Sequence, residues 1–271
     1  MRAPRSNNVH FTTRTVGMQK LHVLTHKEEL DPQRLSDKVV VVLDVLFATS
    51  TIIAALQHGA ADVTPVMDEA AARAETLKCA DGRYVLAGEW HRKRIRGFAH
   101  YAPLALLAHD VSDKRVIYAT TNGTVARLQA ASAPHVYAAA LLNGEAVARH
   151  ICAAHSEETV LILCAGSRSA LTLEDLYGAG LLADRLVAGL EQRWALTDAT
   201  QAALRLYRSG DALECLQNSR IGRIMKADGL AEEVRFAARV DVFNIVPALV
   251  DGRLKPVNGA AQEPPIPTAR P

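Results

Sequence analysis

The feature that most constrains the fold of this chain is a run of aliphatic residues that ends in an acid. A strand is predicted at 38–43, where four valines and a leucine follow Lys38, and Asp44 comes directly after it. A run that is apolar at every position is typical of a strand buried on both faces. Such strands occur mainly in parallel sheets covered by helices on both sides, so the run predicts an α/β protein.

The same unit of short apolar run, turn and helical segment recurs along the chain. Further strands are predicted at 61–66, 83–86, 115–119, 135–140 and 159–164, and helices at 51–57, 69–78, 125–131, 144–154 and 173–190. This alternation predicts a three-layer α/β/α fold with a largely parallel sheet. The segments 39–57 and 115–131 share a strand, a Thr/Ser-rich turn and a helix, which leaves an internal duplication open.

The rest of the chain is predicted from composition and turn residues. Residues 88–112 show no clear period, and we expect a functional loop with one short helix there. Beyond residue 190 the pattern is mostly helical to residue 238, and Asp251-Gly252 then predicts a hairpin turn. We expect a flexible arm at 1–18, an α/β domain at 19–257 and a disordered Pro-rich tail at 258–271. Two subdomains meeting near 140–158 are the alternative for the central part.

Charge and cysteine content exclude several classes of function. The 31 basic and 29 acidic residues leave a net charge of 31 − 29 = +2, which gives no general attraction to nucleic acid. No apolar stretch reaches the roughly 18 residues of a membrane span, and no secretory signal is visible. The four cysteines show no C-x-x-C spacing, as expected of reduced thiols. We therefore expect a cytoplasmic protein without nucleic-acid or membrane partners.

Several well-known site motifs are absent from the sequence. There is no G-x-x-x-x-G-K-[ST], no G-x-G-x-x-G and no G-x-S-x-G, so a P-loop, a dinucleotide site and a nucleophile elbow are not expected. The ten histidines include no H-E-x-x-H or other dense zinc spacing, and zinc is not expected either.

The first candidate site follows the valine-rich strand. Catalytic groups in α/β folds collect at the carboxyl ends of strands, and a carboxylate at Asp44 can bind a hard cation such as Mg²⁺. Thr49, Ser50 and Thr51 present hydroxyl and N–H groups at a helix start, where an anion is favoured. Simple N-capping of the helix is the competing explanation for Thr49 and Ser50.

The second candidate is the turn after the strand that ends at residue 119. Thr120, Thr121, Asn122, Gly123 and Thr124 supply hydroxyls, and the glycine permits close approach of a ligand to the backbone. An Asn-Gly turn that merely caps a helix is the alternative.

The third candidate is the loop after the strand at 159–164. Gly166 and Ser167 can approach an oxyanion, and Arg168 can hold one through two hydrogen bonds. Asp175 lies near the start of the following helix, beside Glu174, where acids also complement the helix dipole. Another carboxylate, Glu89, is predicted to lie just after the strand at 83–86.

An ordered set of short motifs runs through the chain: Asp44-Val45-Leu46, Ala48-Thr49-Ser50-Thr51, Ala87-Gly88-Glu89, Gly97-Phe98, Thr120-Thr121-Asn122-Gly123-Thr124, Ala165-Gly166, Glu174-Asp175, Ala179-Gly180, Ser219-Arg220, Gly222-Arg223 and Asp241-Val242-Phe243-Asn244-Ile245-Val246-Pro247. Over about residues 35–255 this set resembles the 2-phosphosulfolactate phosphatase family, often called ComB-like. No single motif is specific to the family, but their order is.

The resemblance implies a ComB-like fold and a Mg²⁺-dependent phosphatase. Its substrate would be the phosphate ester of a small 2-hydroxy acid, which in the named reaction also bears a sulfonate. Asp44 and Glu89 would be metal-binding or catalytic carboxylates, and the turn at 120–124 would hold an anionic group. Asp175 and Arg223 would be further site residues. A small anionic phosphorylated molecule is thus the expected partner, and a homodimer remains an open alternative to a monomer.

The chain also departs from the family pattern. The position after Asp-Val-Leu usually holds arginine and here is Phe47, and residues 99–103 lack the usual acid, glycine and polar pair. Phenylalanine cannot replace arginine as an anion clamp. Two alternatives therefore stay open: an enzyme with an altered phospho- or phosphonate-type substrate, and a non-catalytic anion-binding homologue. The basic residues that would compensate are Arg92, Arg94, Arg96 and Arg168.

Overall fold

The computed structural model describes residues 18–120, 130–188 and 194–257. The expected tail at 258–271 and all but the last residue of the expected arm at 1–18 lie outside these ranges. Eleven described strands form one mixed sheet. They are β1 (Gln19–Leu24), β2 (Lys38–Leu43), β3 (Asp62–Val66), β4 (Tyr84–Trp90), β5 (Lys93–Arg94), β6 (Arg115–Ala119), β7 (His135–Ala139), β8 (Thr159–Cys164), β9 (Trp194–Leu196), β10 (Pro247–Val250) and β11 (Arg253–Pro256).

Nine α-helices accompany the sheet in the described ranges. They are α1 (Ala48–Gln57), α2 (Glu69–Thr76), α3 (Pro103–Leu107), α4 (Gly144–Ala154), α5 (Leu173–Val187), α6 (Asp198–Ser209), α7 (Ala212–Asn218), α8 (Arg220–Ala227) and α9 (Ala231–Ala237). None of these described helices combines the length and apolar character that crossing a bilayer requires.

The sheet consists of two parallel groups joined by a hairpin. Its strand order is β5-β4-β6-β3-β11-β10-β7-β2-β8-β1-β9. Within it β4, β6 and β3 are parallel, and so are β7, β2, β8, β1 and β9. The hairpin of β10 and β11 pairs antiparallel with β7 on one side and β3 on the other. Three successive antiparallel steps separate β7 from β3, so the two parallel groups have opposite local directions.

The valine-rich strand β2 has two buried faces, as its sequence predicts. Val39 and Val41 belong to the main hydrophobic core, which also contains residues of α1 and α5. Val40 and Val42 pack in a separate cluster on the opposite face. A third cluster, which includes Ala72 of α2, covers the β4 and β6 end of the sheet. Helices or loops therefore cover both faces, and the predicted three-layer α/β/α class is confirmed.

Most predicted elements are confirmed within a few residues. The strands at 115–119 and 159–164, the helix at 144–154 and the hairpin turn at Asp251-Gly252 match the described elements, and both turn residues have positive φ. The predicted helix at 125–131 lies almost wholly outside the described residues. The short strand β9, paired with β1, was not predicted.

One prediction about Glu89 is wrong, because this residue lies within β4 rather than in a loop after a strand. β4 extends to Trp90, since Gly88 pairs with Ala119 of β6 and Glu89 pairs with Arg94 of β5. A Cβ at Gly88 would lie 2.4 Å from the Ala119 carbonyl oxygen, so only glycine allows this approach of the two strands. The glycine that suggested a strand end instead lets the strand continue.

Candidate functional site

The loops that follow β2 and β8 lie side by side because the two strands are parallel neighbours. The N–H of Ala165 donates to the Leu43 carbonyl at 2.7 Å, just where both strands end. The first and third candidate loops therefore meet at one edge of the sheet, with Asp44 partly exposed between them.

A buried carboxylate on α5 fastens these two loops. Asp175 accepts hydrogen bonds from the N–H of Val45 at 2.9 Å and of Gly166 at 3.1 Å, and from the Thr172 hydroxyl at 2.9 Å. Its side chain is 3% exposed. Because all three donors belong to the protein, the geometry makes Asp175 a residue that positions both loops.

Asp44, Glu174 and Asp175 form a cluster of acids with raised pKa values. Burial, then the charge of Asp175, raises the pKa of Asp44 well above its usual range, and Glu174 and Glu89 contribute in the same direction. Burial and the neighbouring Asp175 raise the pKa of Glu174 to about 7. Burial also raises the pKa of Asp175 despite its hydrogen bonds. Burial therefore disfavours the charged form of all three acids, and repulsion between neighbouring carboxylates adds to this effect at Asp44 and Glu174.

One oxygen of this cluster is buried without a partner. The Glu174 side chain interacts with the Ser219 hydroxyl, which in turn accepts the N–H of Gly222. The other carboxylate oxygen, Oε2, has no hydrogen-bond partner among the described residues. A buried polar atom without a partner costs free energy, and a bound water, ligand or ion would remove that cost.

The charge of Glu89 acts on Asp44 although their strands belong to different parallel groups. Thr51 of α1 and Tyr118 of β6 both donate their hydroxyl protons to the Tyr101 carbonyl, at 2.8 and 2.6 Å. This shared acceptor ties α1, which follows Asp44, to the sheet half that contains Glu89. Accordingly, the charge of Glu89 raises the pKa values of both Asp44 and Tyr118, after the larger effect of burial.

The hydroxyl groups of Thr49 and Ser50, in the first candidate loop, form hydrogen bonds with the backbone of the same loop. Thr49 donates to the Asp44 carbonyl at 3.0 Å and Ser50 donates to the Val45 carbonyl at 2.8 Å. Both side chains are buried, and no side chain caps α1. The hydroxyls thus shape the turn instead of capping the helix. The substrate-binding role of Thr49, Ser50 and Thr51 stays a prediction.

Phe47 belongs to the protein core. Its side chain is 4% exposed and lies in the main hydrophobic cluster, and the peptide between Leu46 and Phe47 is cis. At the position where the family pattern holds arginine, this chain therefore has a side chain that packs in the core and does not line an open pocket.

The second candidate loop adjoins the first. Thr120 is buried and lines one cleft with Thr49, Ile52 and Tyr118. The remaining residues of this candidate, Thr121, Asn122, Gly123 and Thr124, lie outside the described residues, so their role stays a prediction.

The third candidate loop turns tightly after β8. Gly166 has a φ of +63°, and a Cβ there would lie 2.7 Å from the His26 Cβ, which explains the glycine. The N–H of Ser167 donates to the Ala170 carbonyl at 3.0 Å, and Arg168 is exposed on the loop. Arg168 is therefore placed at the same sheet edge as Asp44.

The motif around residue 220 brings a residue to the acid cluster that was not predicted, Ser219. Arg223 is exposed at α8, and its guanidinium contacts the Asn218 carbonyl. Ser219, four positions earlier, is buried and reaches Glu174. The structure thus brings Ser219 to the acid cluster, and the proposed role of Arg223 remains untested.

Lys27 is a basic residue near the cluster that the sequence analysis missed. It follows β1, whose neighbour is β8, and it is only 8% exposed. Its ammonium group lies 3.2 Å from Glu28, and its positive charge lowers the pKa of Asp175 against the larger effect of burial. The signal in the sequence was a lysine three residues after the end of β1.

Comparison with known proteins gives a consistent result. A family model described as 2-phosphosulpholactate phosphatase matches residues 24–252. A relative from Deinococcus radiodurans is 37% identical over 229 residues, covering 83% of this chain and 92% of the relative. Relatives from Caldanaerobacter subterraneus (33% over 226 residues, 82% and 92%) and Clostridium beijerinckii (28% over 237 residues, 87% and 98%) are similar too. Each of the three is named a probable 2-phosphosulfolactate phosphatase.

Proposed function

The chain belongs to the 2-phosphosulfolactate phosphatase family, and from this we propose that it is a phosphoric monoester hydrolase that releases phosphate from 2-phosphosulfolactate or a closely similar phosphorylated 2-hydroxy acid. The observation that carries the proposal is the cluster of Asp44, Glu174 and Asp175 beyond the carboxyl ends of β2 and β8, together with Glu89, whose charge acts on Asp44. Neighbouring acids repel one another, so they are not expected to serve only to stabilise the fold. They can instead bind a metal ion that assists phosphoryl transfer.

The acid cluster supports the proposal that the enzyme depends on Mg²⁺. A phosphate ester that also bears a sulfonate or carboxylate would be repelled by these side chains, at about 3 kcal/mol for two unit charges 5 Å apart in a partly polar medium. A divalent cation bound by these acids would instead attract the anionic groups of the ester. The available ligands are carboxylate oxygens, which Mg²⁺ prefers, and the partnerless Glu174 Oε2 is one of them. Asp44 and Glu89 would hold the ion, with Glu174 beside them.

When bound, the ion would polarise the phosphoryl oxygens and stabilise the charge on the leaving oxygen. The protein's own groups would do the remaining work. Arg168, which is exposed on the loop after β8, can hold the anionic ester through its guanidinium group.

Lys27 supports the binding of a doubly anionic substrate without an arginine at position 47. Its buried ammonium group acts on the same carboxylate, Asp175, that fastens the two site loops. We propose that Lys27 and Arg168 provide the positive charge that Phe47 cannot. The four cysteines, all free thiols, agree with the proposed cytoplasmic location.

The test is phosphate release from 2-phosphosulfolactate and from phosphorylated 2-hydroxy acids without a sulfonate, measured in excess Mg²⁺ and in excess chelator. We expect turnover in Mg²⁺, loss of turnover in chelator, and a preference for the sulfonated ester. Asp44→Asn and Glu89→Gln should each lower kcat at least 100-fold, because each removes a charged ligand. Glu69→Gln is the matched control, since this exposed carboxylate pairs only with Arg73 on α2 among the contacts described.

Two outcomes would overturn parts of the proposal. Folded protein that releases phosphate from none of these esters would contradict the hydrolase and favour an anion-binding homologue. Equal turnover in Mg²⁺ and in chelator would leave the hydrolase standing but contradict the role of the metal.

A further inference from the structure

A second cluster of ionisable side chains lies at the opposite edge of the sheet from Asp44. His135 begins β7, Glu158 directly precedes β8, and His155 lies between α4 and β8. Since β2, β7 and β8 are parallel, their amino ends lie together at the edge away from the carboxyl end of β2, where Asp44 follows. The cluster is therefore separate from the proposed phosphatase site.

The three side chains are close enough to share one ion. One ligand atom from each of His135, His155 and Glu158 lies within 4.8 Å of the others, and no other trio of His, Cys, Asp or Glu in the described residues does this. His155 Nδ1 lies 3.2 Å from Glu158 Oε1, and the two imidazole centroids are 4.5 Å apart. Two ligands of a tetrahedral zinc ion are about 3.3 Å apart, so the closest pair already has suitable spacing.

The surroundings of His155 orient it for such a role. Its Nε2 lies 2.9 Å from the Tyr137 hydroxyl, which is also 3.0 Å from His150 Nε2. Without an ion, His155 Nδ1–H donates to Glu158, and a bound ion would favour the other neutral tautomer, in which Nε2–H donates to Tyr137, Tyr137 donates to His150 and the Nδ1 lone pair faces the ion. A histidine that binds a metal usually donates its other N–H to a partner of this kind.

The backbone of the cluster is also held in place from a neighbouring strand. The side-chain amide of Gln19 in β1 donates to the Glu158 carbonyl at 2.6 Å and to the His155 carbonyl at 3.3 Å. Gln19 and His155 are each 3% exposed, whereas His135 is exposed. The arrangement combines a rigid buried ligand with an exposed one, which leaves a path for an ion from solvent.

We propose that His135, His155 and Glu158 form a binding site for a divalent transition metal, of which Zn²⁺ is the best match, with water as the fourth ligand. Two imidazoles and one carboxylate favour zinc over Mg²⁺, which prefers oxygen ligands alone. The bound ion would connect the starts of β7 and β8 with the end of α4. It would stabilise the fold without taking part in phosphate release.

The experiment is a calorimetric titration of the metal-stripped full-length protein with Zn²⁺, in buffer that contains excess Mg²⁺ to occupy the acid cluster. We expect one zinc site per chain. His135→Ala and Glu158→Gln should each weaken its affinity at least tenfold. His135 is exposed, so its replacement should leave the fold intact, and His109→Ala serves as the control because His109 is an exposed histidine outside the cluster. Thermal unfolding with and without Zn²⁺ provides a second readout, since an ion that binds the native state raises the Tm.

The possible results distinguish zinc binding at this cluster from zinc binding elsewhere in the protein. Loss of zinc binding in His135→Ala but not in His109→Ala would support the proposal, together with a zinc-dependent rise in Tm that the first variant lacks. No zinc binding by the unmutated protein would overturn it. Unchanged binding in His135→Ala, with loss in Asp44→Asn, would overturn it as well, because the ion would then occupy the acid cluster.

Discussion

The carboxylate of Asp175 accepts the backbone N–H of Val45 at 2.9 Å, although the two residues are 130 positions apart in the chain. Its second oxygen accepts the N–H of Gly166 and the hydroxyl of Thr172. One buried side chain thus joins the loop after β2, the loop after β8 and the start of α5. Asp175 therefore positions Asp44 indirectly, through the backbone N–H of the next residue, Val45.

Asp175→Asn should therefore lower both stability and activity. An amide presents one acceptor oxygen where the carboxylate presents two, so at least one buried donor loses its partner, at a cost of roughly 2–4 kcal/mol. We expect this decrease in the free energy of unfolding in urea, and a fall of at least tenfold in kcat. Asp110→Asn is the control, because Asp110 is an exposed carboxylate that also accepts a backbone N–H. Equal stability of the two variants would contradict the positioning role.

Stability in the absence of metal should depend on pH through Glu174. Its pKa is raised from 4.5 to about 7 in the folded protein, so its stabilising contribution is present below pH 4.5 and is lost as the pH rises through 7. The decrease should be on the order of 3 kcal/mol. Unfolding in chelator between pH 5 and 8 measures it. Glu174→Gln should flatten the dependence, and an unchanged slope in that variant would contradict the assignment.

Phe47→Arg should destabilise the protein without improving activity. The ring is 4% exposed in the main core, so a guanidinium there loses apolar packing and buries a charge, at about 3 kcal/mol or more. Phe47→Leu, which keeps an apolar side chain, is the milder control. Urea unfolding and kcat/KM for the sulfonated and unsulfonated esters are the measurements. A selective gain on the sulfonated ester would instead indicate that position 47 faces the substrate and that the present chain has an altered specificity.

Lys27→Met should weaken substrate binding more than turnover. The change keeps much of the side-chain volume but removes the positive charge near Asp175. We expect KM for the sulfonated ester to rise about tenfold, with a smaller change in kcat. Lys38→Met is the control, because Lys38 lies at the amino end of β2 and pairs with Asp37. If the two variants have the same KM, Lys27 does not contact the substrate's charge.

Much of the fold could be predicted because its signals are local. The alternation of apolar runs and helical segments predicted the layers, and the bounds of β2, β6, β8 and α4 agree with the structure. The sheet edge around Asp44 could also be predicted, since parallel strands end together. The opposite local directions of the two parallel groups could not be predicted, because they depend on where the β10–β11 hairpin pairs, and its sequence indicates only the turn.

The amino-acid sequence alone was enough to indicate the fold class, the strand ending at Asp44 and the family, because each depends on residues that are neighbours in the chain or on their order. Folding decided that Glu89 lies inside a strand, that Asp175 holds Val45, and that Phe47 is buried. It also brought His135 to His155 and Glu158, where no zinc spacing is visible in the sequence. Contacts of this kind depend on strand order and on packing between distant segments, which local periodicity does not encode. For Asp44 itself, the sequence indicated an acid at a strand end, and the fold placed it in the charged cluster that supports a role in phosphate release.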